Sequence, residues 1–188
     1  MNGNDIVDLA RKTYVDQFAA FAGKLGAEYP DGAAEKVCEV QKATPLYGAL
    51  YRADFVRQAE GGQLSIQEFQ PDGYVTFEPL DGMAGSARVR MEQLCWDDVE
   101  IVHDLRQDMA PVLKLWFEQW FDPDDTRLAA NCDRQIDVIH SLGVHPGRLT
   151  IDFGTASTQA FWGLIARLRD AGATSLVVRQ TRGRSPAG

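Results

Sequence analysis

The chain has no CxxC pair, and its three cysteines, Cys38, Cys95 and Cys132, stand far apart. Zinc ribbons and thioredoxin-like sites need thiols two residues apart, so both are excluded. Free thiols in a reducing compartment are the expectation. No apolar stretch approaches the roughly 18 residues of a membrane span, so no membrane partner is expected. The opening Met1-Asn2-Gly3-Asn4-Asp5-Ile6 has no basic segment leading into an apolar run. It does not read as a signal peptide, and the expected location is cytoplasmic. Positive charge is in the minority, with 19 Lys and Arg against 27 Asp and Glu, a net charge of −8. That balance repels phosphate backbones, so nucleic acid is not an expected partner, whereas a basic protein is compatible.

Catalytic and cofactor signatures are missing too. Neither GxGxxG nor a P-loop nor a GxSxG elbow occurs, and no cofactor or catalytic residue is assigned. Gly154-Thr155-Ala156-Ser157 sits where phosphate loops occur, between strand and helix, but lacks their glycines and lysine. Ser157 or Thr155 as a helix N-cap explains it. Asp122-Pro123-Asp124-Asp125 invites a calcium reading, yet Arg127 stands where an EF-hand loop needs glycine.

What is present suits a globular domain: 45% of the residues are hydrophobic and 10% of the chain is aromatic. The expectation is one α+β domain over 1–180, with a helical N-terminal part (1–60), a sheet-containing part (63–180) and a disordered tail at 181–188. Asn4 is a candidate N-cap for a helix whose stripe runs Ile6, Ala10, Tyr14, Phe18, Phe21 and Leu25. A second helix is expected after Asp31, carrying Val37 and Val40. A third begins at Pro45, with Leu46, Ala49, Leu50, Ala53 and Val56 on one side, ending at Gly61-Gly62. Leu64–Phe69 and Tyr74–Leu80 flank the turn Pro71-Asp72-Gly73 and predict a hairpin. Strands follow at Ala87–Leu94 and Val99–Asp104, making a meander of four. A helix over Met109–Phe121 precedes a C-terminal ββαβ unit, with strands Ile136–Leu142, Leu149–Phe153 and Ser175–Arg179 and a helix from Ser157. The sheet is predicted to hold about six to seven strands, mainly antiparallel.

Two constellations stand out. Glu100-Ile101-Val102-His103 and Asp137-Val138-Ile139-His140 look alike, and neighbouring strands would bring the two imidazoles together. His103 and His140 are therefore weak metal candidates beside the more ordinary role of hydrogen-bonded core histidines. The other constellation is the apolar helix bearing Trp116, Trp120 and Phe121. Its apolar arc is too broad for a helix on one side of a sheet, so it is either sandwiched or meets another molecule. If exposed, these aromatics and the flanking Asp97, Asp98, Asp122, Asp124 and Asp125 form an aromatic anchor with an acidic rim. The main functional expectation is a non-catalytic, acidic protein-binding module of the immunity or antitoxin kind. The alternatives are an enzyme or small-ligand or metal-binding protein with a site near His103 and His140, and a self-associating structural protein.

Overall fold

The structure, a computed structural model, describes residues 2–40, 43–59, 61–127 and 136–181. The chain is an α+β fold: an N-terminal helix, a mixed and mostly antiparallel six-stranded sheet, and a C-terminal ββαβ unit. Among the described residues no helix is long and apolar enough to cross a membrane.

Helix α1 (Gly3–Glu28) starts two residues earlier than Asn4 suggests. Asn2 accepts a hydrogen bond from the Asp5 backbone, and the Asp5 carboxylate accepts one from the Asn2 backbone. This reciprocal capping box occupies two otherwise orphaned donors. The expected stripe is real: Ile6, Ala10, Tyr14 and Phe18 are buried, together with Val7.

The second and third expected helices are strands. β1 (Ala33–Glu39) and β3 (Leu64–Gln67) flank β2 (Leu50–Gln58) in a three-stranded antiparallel sheet. Along β2, Arg52 and Ala53 are buried, then Phe55 and Val56. Covering both faces of a central strand removes the alternation that separates strand from helix, so the spacing of Leu46, Ala49, Leu50, Ala53 and Val56 imitates a helical stripe. The expected hairpin across Pro71-Asp72-Gly73 is corrected for a related reason. β3 pairs with β2, while Val75 bridges Leu94. Gly73 does adopt the positive φ of 71° that the turn needs.

The larger sheet contains β4 (Leu80–Ala84), β5 (Ala87–Met91), β6 (Val99–His103), β7 (Ser141–His145), β8 (Arg148–Asp152) and β9 (Ser175–Gln180). Its order is β4-β5-β9-β6-β8-β7. The predicted meander is thus interrupted, because β9 inserts between β5 and β6, parallel to the first and antiparallel to the second. β9 brings the apolar run Leu176-Val177-Val178 to the middle of the sheet, and the 92–98 connection spans the gap it opens. Val89, Met91, Val99, Ile101, Leu149, Ile151, Leu176 and Val178 join one core with α2 (Ala110–Phe121) and α3 (Thr158–Asp170). On the opposite side, alternation places Arg148 and Arg179 on the buried carboxylate of Glu100.

The aromatic helix α2 is sandwiched. Trp116, Trp120 and Phe121 are buried, the Trp116 indole donates to the Ala160 carbonyl of α3, and Phe121 stacks on Phe117 at 4.6 Å. Of this helix only Leu115 is an exposed large hydrophobic residue. The broad apolar arc therefore reflects burial on several sides rather than a free anchor.

Candidate metal centre

The C-terminal end of β8 and the start of β7 meet the three-stranded sheet at one junction. There the Arg52 amide of β2 donates to the His140 carbonyl at 2.7 Å, and the His140 amide donates to the Asp152 carbonyl at 2.9 Å. β7 begins at Ser141, later than the expected 136, because residues 139 and 140 bond to the end of α2, to β8 and to β2 instead of forming a regular ladder. This crossing leaves the His140 side chain between the two sheets, and it is only 1% exposed.

Carboxylates bracket the imidazole. Nε2 lies 3.0 Å from Glu35 Oε1 of β1, and Nδ1 lies 3.0 Å from Asp54 Oδ1 of β2. Asp152 Oδ2 is 3.9 Å from the same Nδ1. The Thr155 hydroxyl donates to the same Glu35 Oε1, and the Ile136 amide donates to Oε2 at 3.1 Å. Glu35 also holds a φ of 54°, a conformation that costs a non-glycine residue free energy. Asp54 and Asp152 are fixed through their other oxygens, which accept from the Phe69 and Gly154 amides, both at 2.8 Å. Ligating atoms of Asp54, His140 and Asp152 all fall within 4.8 Å of one another. Beside them opens a cleft of about 290 Å³, with Asp97, Glu68, Tyr51 and Phe69 in its wall.

Negative charge accumulates here. Burial alone would lower the His140 pKa, but Asp152, Asp54 and Glu35 outweigh it and hold the value well above the ordinary one. Asp152 is pushed up to about 8 by burial and by the charges of Asp97 and Asp54, against the pull of His140. Tyr14, under the site on α1, is raised by burial and by Asp152, Asp54, Asp97 and Glu35. The neighbouring guanidinium does not neutralise the group. Arg52 turns its nitrogens to the carbonyls of Glu35, Phe121 and Asp122 and to Asp125.

The donor set fits a divalent cation. One imidazole nitrogen and two carboxylate oxygens suit zinc, manganese or ferrous iron. Glu35 on the remote nitrogen completes the carboxylate–histidine–metal arrangement, which fixes the tautomer with Nδ1 toward the ion.

Gly154 is part of the design. Its φ is +47°, and a Cβ there would lie 2.2 Å from His140 Cδ2 and 2.5 Å from Nε2. Gly154→Ala is therefore expected to lower stability by about 2 kcal/mol or more, from overpacking and an unfavourable φ together. Urea denaturation measures it; an unchanged midpoint would show that the imidazole is not held as described.

Of the residues singled out in the sequence, His140 and Asp97 line this cleft. His103 does not join them; it lies in the wall of another groove, and its ring nitrogens have no hydrogen-bond partner among the described residues. The resemblance of the two hexamers thus brings no pair of imidazoles together: β6 and β7 are separated by β8. Asp98 accepts from the Thr181 hydroxyl. Asp122 and Asp125 face the buried Arg52 rather than forming a rim, and Asp124 is exposed. Thr155 is no cap: its hydroxyl serves Glu35, and Asp137 accepts from the Ser157 amide at the start of α3. Cys132 and most of the expected 181–188 tail lie outside the described residues. Sequence reasoning missed Glu35, Asp54 and Asp152. The only available signal was an acid among apolar residues, as in Ala53-Asp54-Phe55-Val56 and Ile151-Asp152-Phe153.

No family model matches the chain, and neither the curated proteins nor the solved structures contain a match.

Proposed function

We propose that the chain is a divalent-metal protein whose centre is of the open, catalytic type, held by Asp54, His140 Nδ1 and Asp152. The observation that carries this reading is the convergence of these three ligating atoms beside a cleft, with Glu35 on the remote imidazole nitrogen. Three protein ligands leave coordination positions for water and substrate, unlike the four of a closed structural zinc site. A bound ion there supplies Lewis acidity and an activated water, the chemistry of metal-assisted hydrolysis. The chain's own part is to orient the ligands: Glu35 through Nε2, the Phe69 amide through Asp54, and the Gly154 amide through Asp152. This reading is favoured over an acidic protein-binding module because Trp116, Trp120 and Phe121 are buried and Asp122 and Asp125 are turned to Arg52.

Calorimetric titration with Mn²⁺ and Zn²⁺ tests it. One ion per chain is expected, and Asp54→Asn or Asp152→Asn should abolish stoichiometric binding. Glu35→Gln, which leaves the three ligands in place and alters the partner of the remote nitrogen, should weaken it by about 10–100-fold. A folded wild-type protein that binds neither ion, or variants that bind as well as the wild type, would overturn the proposal.

A further inference from the structure

The three-stranded sheet has a free edge that runs into the metal cleft. β3 is an outer strand, and its register with β2 pairs Leu64 with Gln58, Ser65 with Arg57, Ile66 with Val56 and Gln67 with Phe55. Where the chain turns from β2 into β3, the Ala59 amide donates to the Gln63 carbonyl at 2.7 Å, so 59 and 63 are a hydrogen-bonded pair. Such pairs recur at every second residue of an antiparallel ladder, which makes Ser65–Arg57 and Gln67–Phe55 the next two. The amides and carbonyls of Leu64 and Ile66 therefore point away from β2, and no described residue bonds to them.

Exposed edges are commonly blunted by charge, proline or a bulge, because an open row of backbone groups is a template for another strand. Here the edge is apolar instead: Leu64 is 70% exposed and Ile66 is 42% exposed. The two-residue period of a strand sets both on one face, with Glu68 next in the row. Ile66 and Glu68 line the metal cleft together with Asp54 and Asp152. The register gives the order along the edge. Ile66 lies across from Val56, so carrying the pairing two residues further sets Glu68 beside Asp54. An open, apolar edge thus leads to an acidic end at the metal ligands. With a dication on Asp54 and Asp152, Glu68 adds a further negative charge, while the Arg52 guanidinium in the wall is committed to carbonyls and Asp125.

We propose that the substrate of the metal centre is an extended peptide that adds to β3 as an antiparallel fourth strand, with apolar side chains beside Leu64 and Ile66 and a basic one at Glu68. This rests on the metal reading of the cleft given above. The main-chain groups of Leu64 and Ile66 supply the hydrogen bonds, and the alternate side chains supply selectivity. Continuity of the edge with the cleft brings the basic end of the peptide to the metal ligands.

The probe is the peptide acetyl-KTVTV-amide, whose valines fall opposite Ile66 and Leu64 and whose lysine falls at Glu68. In amide ¹H–¹⁵N spectra of the metal-free full chain it is expected to shift Leu64 and Ile66 saturably, with a Kd below about 1 mM, and to protect both amides from exchange. N-methylation of the two valine amides should weaken binding by about tenfold or more, whereas N-methylation of the threonines should not. Ile66→Pro deletes an outward amide at an edge position that tolerates proline, and should abolish binding with little change in melting temperature. Loading with Mn²⁺ should then broaden the lysine protons of the bound peptide more than those of the second valine. No saturable shift at Leu64 and Ile66, or equal binding of the valine-methylated peptide, overturns the added strand. Equal binding of acetyl-ETVTV-amide overturns the basic residue. Binding without broadening, in protein that holds Mn²⁺, overturns the peptide as substrate of this centre. Failure of Mn²⁺ to bind overturns the metal reading itself, and the metal-free spectra then decide the strand alone.

Discussion

Arg52→Met is expected to destabilise the protein by about 3–5 kcal/mol, the range for breaking a buried charge network from one side. The Arg52 side chain is fully buried. Its Nε and Nη2 donate to the Phe121 carbonyl at 2.9 and 2.7 Å, and Nη2 also reaches the Asp122 carbonyl at 2.6 Å. Nη1 donates to the Glu35 carbonyl at 2.6 Å and to Asp125 Oδ1 at 2.7 Å. The guanidinium thus caps the C-terminal end of α2, where the helix dipole is negative, and ties that end to β1. Methionine fills much of the space but leaves several carbonyls and the Asp125 carboxylate without their donor. Chemical denaturation should show the loss, and Arg90→Met, which removes exposed ion pairs with Asp81 and Glu92, should cost no more than about 1 kcal/mol. Equal effects of the two substitutions would contradict the assigned role of Arg52. Because Arg52 holds the backbone of Glu35, Arg52→Lys should also weaken metal binding, since one ammonium cannot reproduce the fork.

A second large effect is expected from pH. Asp152 in the folded chain titrates near 8, far above an unfolded aspartate at about 3.9, so the native state retains a proton the unfolded state has lost. Stability therefore falls as pH rises between those values. His140, also raised, contributes stability that is complete below about 6.5 and is lost as pH climbs through its folded pKa. The signs agree: in EDTA the melting temperature should drop from pH 6 to pH 9. A metal ion replaces those protons, so its affinity should climb through the same window by up to about tenfold per pH unit for each proton displaced. With saturating Mn²⁺ the drop should vanish, and Asp152→Asn should flatten the EDTA profile. A melting temperature that rises with pH in EDTA would contradict the electrostatics of the site.

The sequence made the outline legible where one face of an element meets the core. The stripe of α1, the helix α2 after Asp108, and the ββαβ unit follow from periodicity and turn chemistry. β2 is obscured because a strand covered on both faces has no alternation to read, and β1, an edge strand with only Glu35 buried, offers none of its own. Glu35 and Asp54 sit on those two strands. Misreading them as helices hid the site, since on helices neither carboxylate would face His140. The expected strand Leu149–Phe153 does carry Asp152, but its meeting with His140 depends on the 136–140 crossing, set by contacts to α2 and β2 that no local pattern encodes. The acidity visible from the start has a sharper location: Asp54, Asp97 and Asp152 share one cleft, while Asp122 and Asp125 are internal partners of Arg52.

The most direct measurement is electron spin-echo envelope modulation on the Mn²⁺-loaded protein. The spectrum is expected to show one directly coordinated imidazole nitrogen, and His140→Gln to remove it while His103→Gln leaves it intact. A wild-type spectrum without bound nitrogen, or a signal that survives His140→Gln, would contradict a centre built on Asp54, His140 and Asp152.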